Sequence, residues 1–339
     1  MAEAHKRKRH PKYRKKYKVR NWSQYDRSLR SRGDLTIWLS EDVIDAWIPE
    51  QNGKRGRQRK YSDISIEAAL SLRLVFHLAL RQTEGFLGSI LSLMNVDLSA
   101  PDHTTISRRN KTITPKIKVY GHLNGPVDLV VDSTGLSIHG DGKWTRHKHG
   151  KRARRGWRKL HIMVDHSGII LSAFLTDERV KDADVVPDLI KEISRINSFT
   201  ADGGYDEIGV YKSVHSRMNG GDIVIPPRSN AIISANEDPA LRQRNQHIKD
   251  IESNGTYNWR RASDYYRQST VENTFYRYKQ IIGDELKARD EDSRQILGSL
   301  VISPNHGGEL STSSIGSLPL LLKRSAILTL NSTDKGLKR

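Results

Sequence analysis

The chain is 339 residues long, enough to bury a substantial core and to divide into two or three domains. It has no cysteine, which excludes disulfides, thiolate zinc sites and cysteine nucleophiles. Its 57 Lys and Arg outnumber its 39 Asp and Glu, for a formal net charge of +18.

That charge is concentrated. Residues 1–60 hold 18 basic and 7 acidic side chains, and residues 143–160 hold 9 basic and none acidic. These segments carry +20 against +18 for the whole chain, so the remaining 261 residues are near neutral. Two basic segments on a neutral body read as the footprint of a polyanion. A solvated tail plus a solvated loop is the plainer alternative. No run approaches eighteen consecutive apolar residues, and Ser317–Leu322 is too short, so no membrane span is expected. The N-terminal charges precede no apolar segment, which argues against a secretory signal.

Residues 1–60 read as a basic arm. His5–Arg20 holds ten Lys and Arg and no acid, a composition expected to be disordered when free and to order on nucleic acid. A nuclear-localisation run has the same letters. Asn21–Tyr25 and Gly33–Leu39 look like a short ordered piece with buried aromatics, followed by a basic linker to Lys60.

Residues 61–118 read as all-helical. Ile66, Leu70, Leu74 and Leu78 recur every four residues, as on a buried helical stripe. Gln82, Thr83 and Glu84 offer an N-cap to a second helix ending near Met94. His103–Lys111 forms a short third helix, basic on its exposed side through Arg108 and Arg109. Three helices ending this way resemble a helix-turn-helix that would present its last helix to DNA. An ordinary helical subdomain with a charged face is the alternative.

From Val127 the texture turns to strands: Asp128–Ser133, Lys159–Asp165 and Ile169–Thr176, the latter two as a hairpin. Asp184 reads as the N-cap of a helix with Pro187 in its first turn, and Thr200–Asp202 ends a further strand. Glu207–Met218 reads as a helix, Asp222–Ile225 as a strand stopped by two prolines, and Arg267 to about Leu286 as a last helix. Three strands, helix, strand, helix, strand, helix is the order of an α/β ribonuclease H-like domain, placed at 125–295.

Asp132 and Asp202 each close an apolar strand where turn residues begin, and Glu272 lies among cations on the last helix. Gln268, Glu272, Tyr276 and Lys279 are spaced by four, four and three, so they share one helical face. Three carboxylates in a basic chain point to a magnesium site, with manganese as a substitute, acting on a phosphate backbone through two ions. Asp128 shares a strand face with Asp132 and is its local rival. Asp206 and Asp184 read as turn and capping residues. His139, His147, His149, His161 and His166 read as solvated loop histidines rather than a metal cluster. Ser133 lacks the glycine-flanked elbow of a hydrolase nucleophile.

Several segments in order resemble a bacterial insertion-sequence transposase of the DDE type. They are Asn21-Trp-Ser-Gln-Tyr, Leu35-Thr-Ile-Trp, Pro101-Asp-His-Thr-Thr-Ile-Ser-Arg-Arg, Val131-Asp-Ser-Thr-Gly-Leu, Trp157-Arg-Lys-Leu-His, Ala201-Asp-Gly-Gly-Tyr-Asp, Ile225-Pro-Pro-Arg and Val271-Glu-Asn-Thr-Phe-Tyr-Arg-Tyr-Lys-Gln. The match is to insertion-sequence family five, in the group with a tyrosine-arginine-glutamate-lysine signature. The resemblance implies Asp132, Asp202 and Glu272 as the metal-binding triad. It implies Tyr265 and Lys279 as DNA contacts near the scissile phosphate. The signature arginine falls on Gln268, with Arg267 beside it as a substitute pointing about 100° away on a helix. Arg154, Arg155, Arg158, Lys159 and Arg228 are further expected phosphate contacts. The implied partners are double-stranded DNA, as inverted repeats and target, and further copies of the chain on that DNA. The implied setting is the bacterial cytoplasm at the nucleoid, with no membrane.

After Gln295 the family would continue into an amphipathic helix, whereas residues 296–339 are Ser/Thr/Gly/Leu-rich without periodicity. This reads as a frameshifted or foreign tail of a decayed copy. Two other functions fit parts of the chain: a transposase-derived DNA-binding protein, and a ribonuclease H-like nuclease acting on RNA–DNA hybrids.

Overall fold

A computed structural model describes residues 21–31, 35–38, 41–50, 53, 55–56, 58–113, 125–139, 156–234, 238–288, 290–294 and 321–324. The basic run His5–Arg20, the segment 143–155 with Arg154 and Arg155, and nearly all of the tail after Gln295 lie outside the described residues. Two compact units emerge, the smaller joining the start of the chain to its end. In that unit α1 (Trp22–Ser31) carries Trp22 and Tyr25 edge to face at 5.7 Å. Both rings are exposed, not buried as expected for this segment. Strand β1 (Leu35–Trp38) pairs antiparallel with β8 (Leu321–Arg324).

The larger unit begins with α2 (Glu41–Asp45) and a helical group, α3 (Asp63–Val75), α4 (Leu80–Leu93) and α5 (His103–Arg109). Ile66, Leu70, Leu87, Leu91 and Ile106 are fully enclosed between them. Trp47 donates its indole N–H to Ser99 O and Tyr61 its hydroxyl to Ala100 O, which fastens the segment after α2 to the loop before α5. Helix α4 starts before the expected cap. Gln82 reaches back to accept the Ala79 amide, while Thr83 and Glu84 sit one turn inside. Asp102 caps α5 by accepting the amides of Thr104 and Thr105.

The rest is a mixed sheet in the order β4-β3-β2-β5-β6, formed by β2 (Val127–Ile138), β3 (Trp157–Val164), β4 (Ile170–Asp177), β5 (Ile196–Ala201) and β6 (Ile223–Val224). β2, β3 and β4 run antiparallel, whereas β2, β5 and β6 are parallel. This arrangement is consistent with a ribonuclease H-like core. Helices α6 (Asp182–Leu189) and α7 (Ile208–His215) cover one face through Val186, Leu189, Val210 and Val214, against Leu129, Val131 and Phe199. The opposite face, with Val130, Leu136, Leu160 and Ile162, packs on Val271, Phe275 and Tyr278 of α9 (Ser269–Ile281).

Three local readings need correction. α6 starts at Asp182, two residues before the expected cap, and places Asp182 and Asp184 in its first turn, where the helix dipole favours acids. Pro187 therefore lies inside the helix rather than in its first turn. The last helix is shorter at both ends. A 3₁₀ turn, Tyr265–Gln268, precedes it, and Gly283 at φ 103° turns the chain into β7 (Glu285–Leu286), which joins β2 at Ser137. Before that turn, α8 (Arg242–Ala262) is a helical stretch broken at Gly255, φ 77°, which the sequence pattern did not reveal.

Candidate active site

β2 and β5 run side by side to Val131 and Ala201, the last pair of their ladder. The next residue in each case is an aspartate. Asp202 follows the end of β5 as expected, whereas Asp132 does not close its strand, because β2 stays paired with β3 and runs on to Ile138. Asp132 and Asp202 thus lie next to each other, each one residue past the last pair of the ladder. Strand alternation puts both on the face covered by α9, with Val130 and Leu136. β7 rejoins that edge of β2 only at Ser137, so residues 132–136 form an open notch at the carboxyl end of β5.

Both carboxylates are held alike. Oδ1 of Asp132 accepts the Ser133 amide at 2.7 Å, and Oδ1 of Asp202 accepts the Gly204 amide at 2.8 Å. A Cβ on Gly204 would lie 2.9 Å from that same oxygen, so a larger residue there would have to shift the Asp202 carboxylate.

Burial raises the Asp132 carboxyl to about 7, against the Ser133 hydrogen bond and with the charges of Asp202, Glu272 and Asp182 adding to it. Asp202 is also raised, first by burial and then by Asp182, with the Gly204 amide opposing. Glu272 lies in the first turn of α9, exposed, beside the buried Val271. Among the described residues no three His, Asp or Glu side chains stand close enough together to hold a metal ion as they are oriented. The donor set still suits a hard divalent cation. It is all oxygen, and two of its acids are pre-oriented by backbone amides and repelled by like charge.

Tyr265 is placed by a relay of contacts. His247 bonds Ile223 O, Trp259 donates to His247 Nδ1 at 3.1 Å, and the Trp259 ring lies 5.6 Å from that of Tyr265. Burial, and then the Asp202 charge, pushes the Tyr265 phenol up to about 12, with Asp132 and Glu272 adding to the effect and Arg260 opposing it. All three acids therefore act on this ring.

The expected cations divide by partner. Lys279 donates to Thr134 Oγ1 on β2 at 2.7 Å. Arg267 bonds Asp264 at 2.6 Å and lies 3.6 Å from Asp128. Arg228 donates to Gly204 O and to Glu207 beside the Asp202 turn. Arg158 makes a two-pronged pair with Glu291, and Lys159 is held by Val180 O and Asp182. In the helical group, Arg109 is held by Asp63 and Tyr61 O, while Arg108 is exposed and reaches Thr105.

Two residues near the site were not anticipated. Asp182, at the start of α6 and bonded to Lys159 of β3, acts on both Asp132 and Asp202. Tyr205 is fully enclosed, and burial, followed by the charges of Asp182, Asp132 and Asp202, raises its phenol above the ordinary range. His161 is also no solvated loop residue. Strand alternation turns it inward on β3, its Nε2 bonds Thr176, and burial lowers it to about 4.

No helix among the described residues is long and apolar enough to cross a membrane. Two family models, each described as a transposase DDE domain, match residues 30–141 and 123–302. The second covers more than half of the chain and includes Asp132, Asp202 and Glu272. Enzymes of this kind are polynucleotidyl transferases that act on DNA and generally use divalent metal ions. The chain belongs to the DDE transposases.

Proposed function

We propose that this transposase binds the terminal inverted repeats of an insertion sequence of family five, cuts its ends and joins the freed 3′-hydroxyls to target DNA. Asp132, Asp202 and Glu272 would hold two magnesium ions, or manganese in their place. The observation that carries this reading is the pair of aspartates that follow the last rung of the β2–β5 ladder, Asp132 within β2 and Asp202 just past the end of β5, the first raised to about 7 chiefly by burial. Burial, with the charges of Asp202, Glu272 and Asp182 adding to it, disfavours the ionised Asp132 carboxylate, and a cation bound beside it would relieve that cost. Glu272, exposed in the first turn of α9 and with three rotatable bonds, completes the set by rotation.

Bound ions would activate water or a 3′-hydroxyl and stabilise the leaving oxygen. The chain's own part is orientation. Ser133 and Gly204 amides hold one oxygen of each aspartate and leave the carboxylate plane fixed toward the notch. Tyr265, Lys279 and Arg228 surround that notch, and with Arg267 they would track the phosphates on either side of the cut. The basic arm, the helical group with Arg108 and Arg109, and the 143–160 segment with Arg154, Arg155, Arg158 and Lys159 would bind the flanking duplex. Two ends brought together imply at least two copies of the chain.

Asp132→Asn separates binding from chemistry. It should keep affinity for an element-end duplex in a gel-shift titration and lose magnesium-dependent nicking. Loss of both activities together would refute this division.

A further inference from the structure

We infer that Gln268 is a positioning residue for Glu272: its buried amide ties the start of α9 to the β2 backbone beside Asp132 and so sets where the helix delivers its carboxylate. The inference rests on the proposed role of the three acids.

Gln268 ends the 3₁₀ turn that precedes α9 and is only 5% exposed. Its Nε2 donates to Val131 O at 3.2 Å, across 137 residues of chain. Val131 is the residue at which β5 leaves β2, so the glutamine takes over where the strand ladder stops. The neighbouring Val271 is wholly enclosed against the sheet, and Lys279 bonds Thr134 three residues further along β2. α9 is therefore fastened to the open notch at two points, and Glu272 lies between them, one helical turn after Gln268.

The other half of the amide points to geometry rather than stability. Gln268 Oε1 is buried without a hydrogen-bond partner. A buried acceptor left unpaired is costly, and an apolar side chain of similar size would avoid that cost. The single bond it does make is directed at the residue before Asp132. At 5% exposure the side chain has no surface to offer a phosphate, although the family signature sets a DNA-contacting arginine at this position.

The test uses full-length Gln268→Leu and Gln268→Met, two apolar replacements that differ in shape. Native-state hydrogen exchange of the Val271, Glu272 and Asn273 amides should quicken about fivefold, the worth of one hydrogen bond, with β2 and β3 amides unchanged. The manganese concentration that half-saturates the thermal shift should rise about tenfold, as when an orienting partner of a metal ligand is lost. Affinity for an element-end duplex should not change. Wild-type exchange in both variants would overturn the tether. Faster exchange with an unchanged manganese requirement would overturn its role in placing Glu272, as would a fall in duplex affinity in its stead. A wild-type chain that shows no manganese shift would instead refute the metal reading of the three acids, and Glu272 positioning with it.

Discussion

Asp128 and Asp132 lie four residues apart on β2 and face the same side of the sheet, yet the fold treats them oppositely. Asp128 accepts hydrogen bonds from Ser198 at 2.6 Å and Asn197 at 2.7 Å and lies 3.6 Å from the Arg267 guanidinium. Burial would raise its carboxyl, but those partners hold it below the ordinary range. Asp132 receives one amide and faces other acids, so burial and like charge raise it. Asp128 is a satisfied structural acid. Asp132 is kept at a stability cost, the pattern expected where a carboxylate serves chemistry.

The largest expected contrast is in rate. Asp202→Asn, like Asp132→Asn, should lower magnesium-dependent strand cleavage by about a thousandfold or more, because a metal supplies several kcal/mol of charge stabilisation. Asp128→Asn should leave the cleavage rate per folded molecule near that of wild type. A single-turnover nicking assay on one end duplex compares all three. An Asp128 variant as inactive as Asp202→Asn would reassign the site along the strand.

Stability should reverse the order. Asp128→Ala removes the acceptor of the half-buried Ser198 and the exposed Asn197 and should cost ~0.5–1.5 kcal/mol in urea denaturation. Asp132→Asn removes a repelled charge and should leave the metal-free chain as stable or more so at pH 7. A large loss in the second variant would mean that Asp132 has a structural partner.

The same contrast has a pH form. The Asp132 carboxyl titrates near 7 in the folded chain, above its unfolded value near 4, so between those limits the folded state binds more protons. Its contribution is therefore lost as pH rises, and the metal-free chain should become less stable from about pH 4 to 7. Asp128, lowered in the fold, contributes in the opposite sense, with stability lost as pH falls below its unfolded value. Asp132→Asn should flatten the upper part of the curve in a series of thermal melts.

Much of this site is legible in the sequence, for a physical reason. Asp202 follows an apolar β-prone run and precedes turn residues, so local chemistry marks it as a strand end. The same pattern misplaces the end of β2, because Ser133-Thr-Gly stays paired with β3 and the strand runs on past Asp132 to Ile138. The pairing of β2 with β5 is a long-range fact, as are the placements of Asp182 and of His161, whose neighbours come from β4 and α6. The glycine at 283 that ends α9 could have been read as a stop, but an apolar Ile-Ile pair before it carries the helical pattern on. α8 escaped because its residues are mostly polar. Its buried contacts, Ile248 and Trp259, are too few to make a stripe.

The smallest expected effect concerns Arg267, which belongs to both sides of the comparison. It pairs with Asp128 and Asp264 in the free chain, and its side chain is 44% exposed. Exposed pairs of this kind are worth ~0–1 kcal/mol, so Arg267→Ala should barely move the urea midpoint. If the same guanidinium swings to a phosphate beside the notch, the variant should flatten the salt dependence of end binding by about one counterion. An unchanged salt slope with a small loss of stability would leave Arg267 wholly on the structural side, as a partner that adds to the Ser198 and Asn197 hydrogen bonds in keeping Asp128 ionised. A changed slope would mean that DNA takes this cation away from Asp128. The structural acid would then be the one whose environment shifts on binding, while the amides of Ser133 and Gly204 continue to hold Asp132 and Asp202.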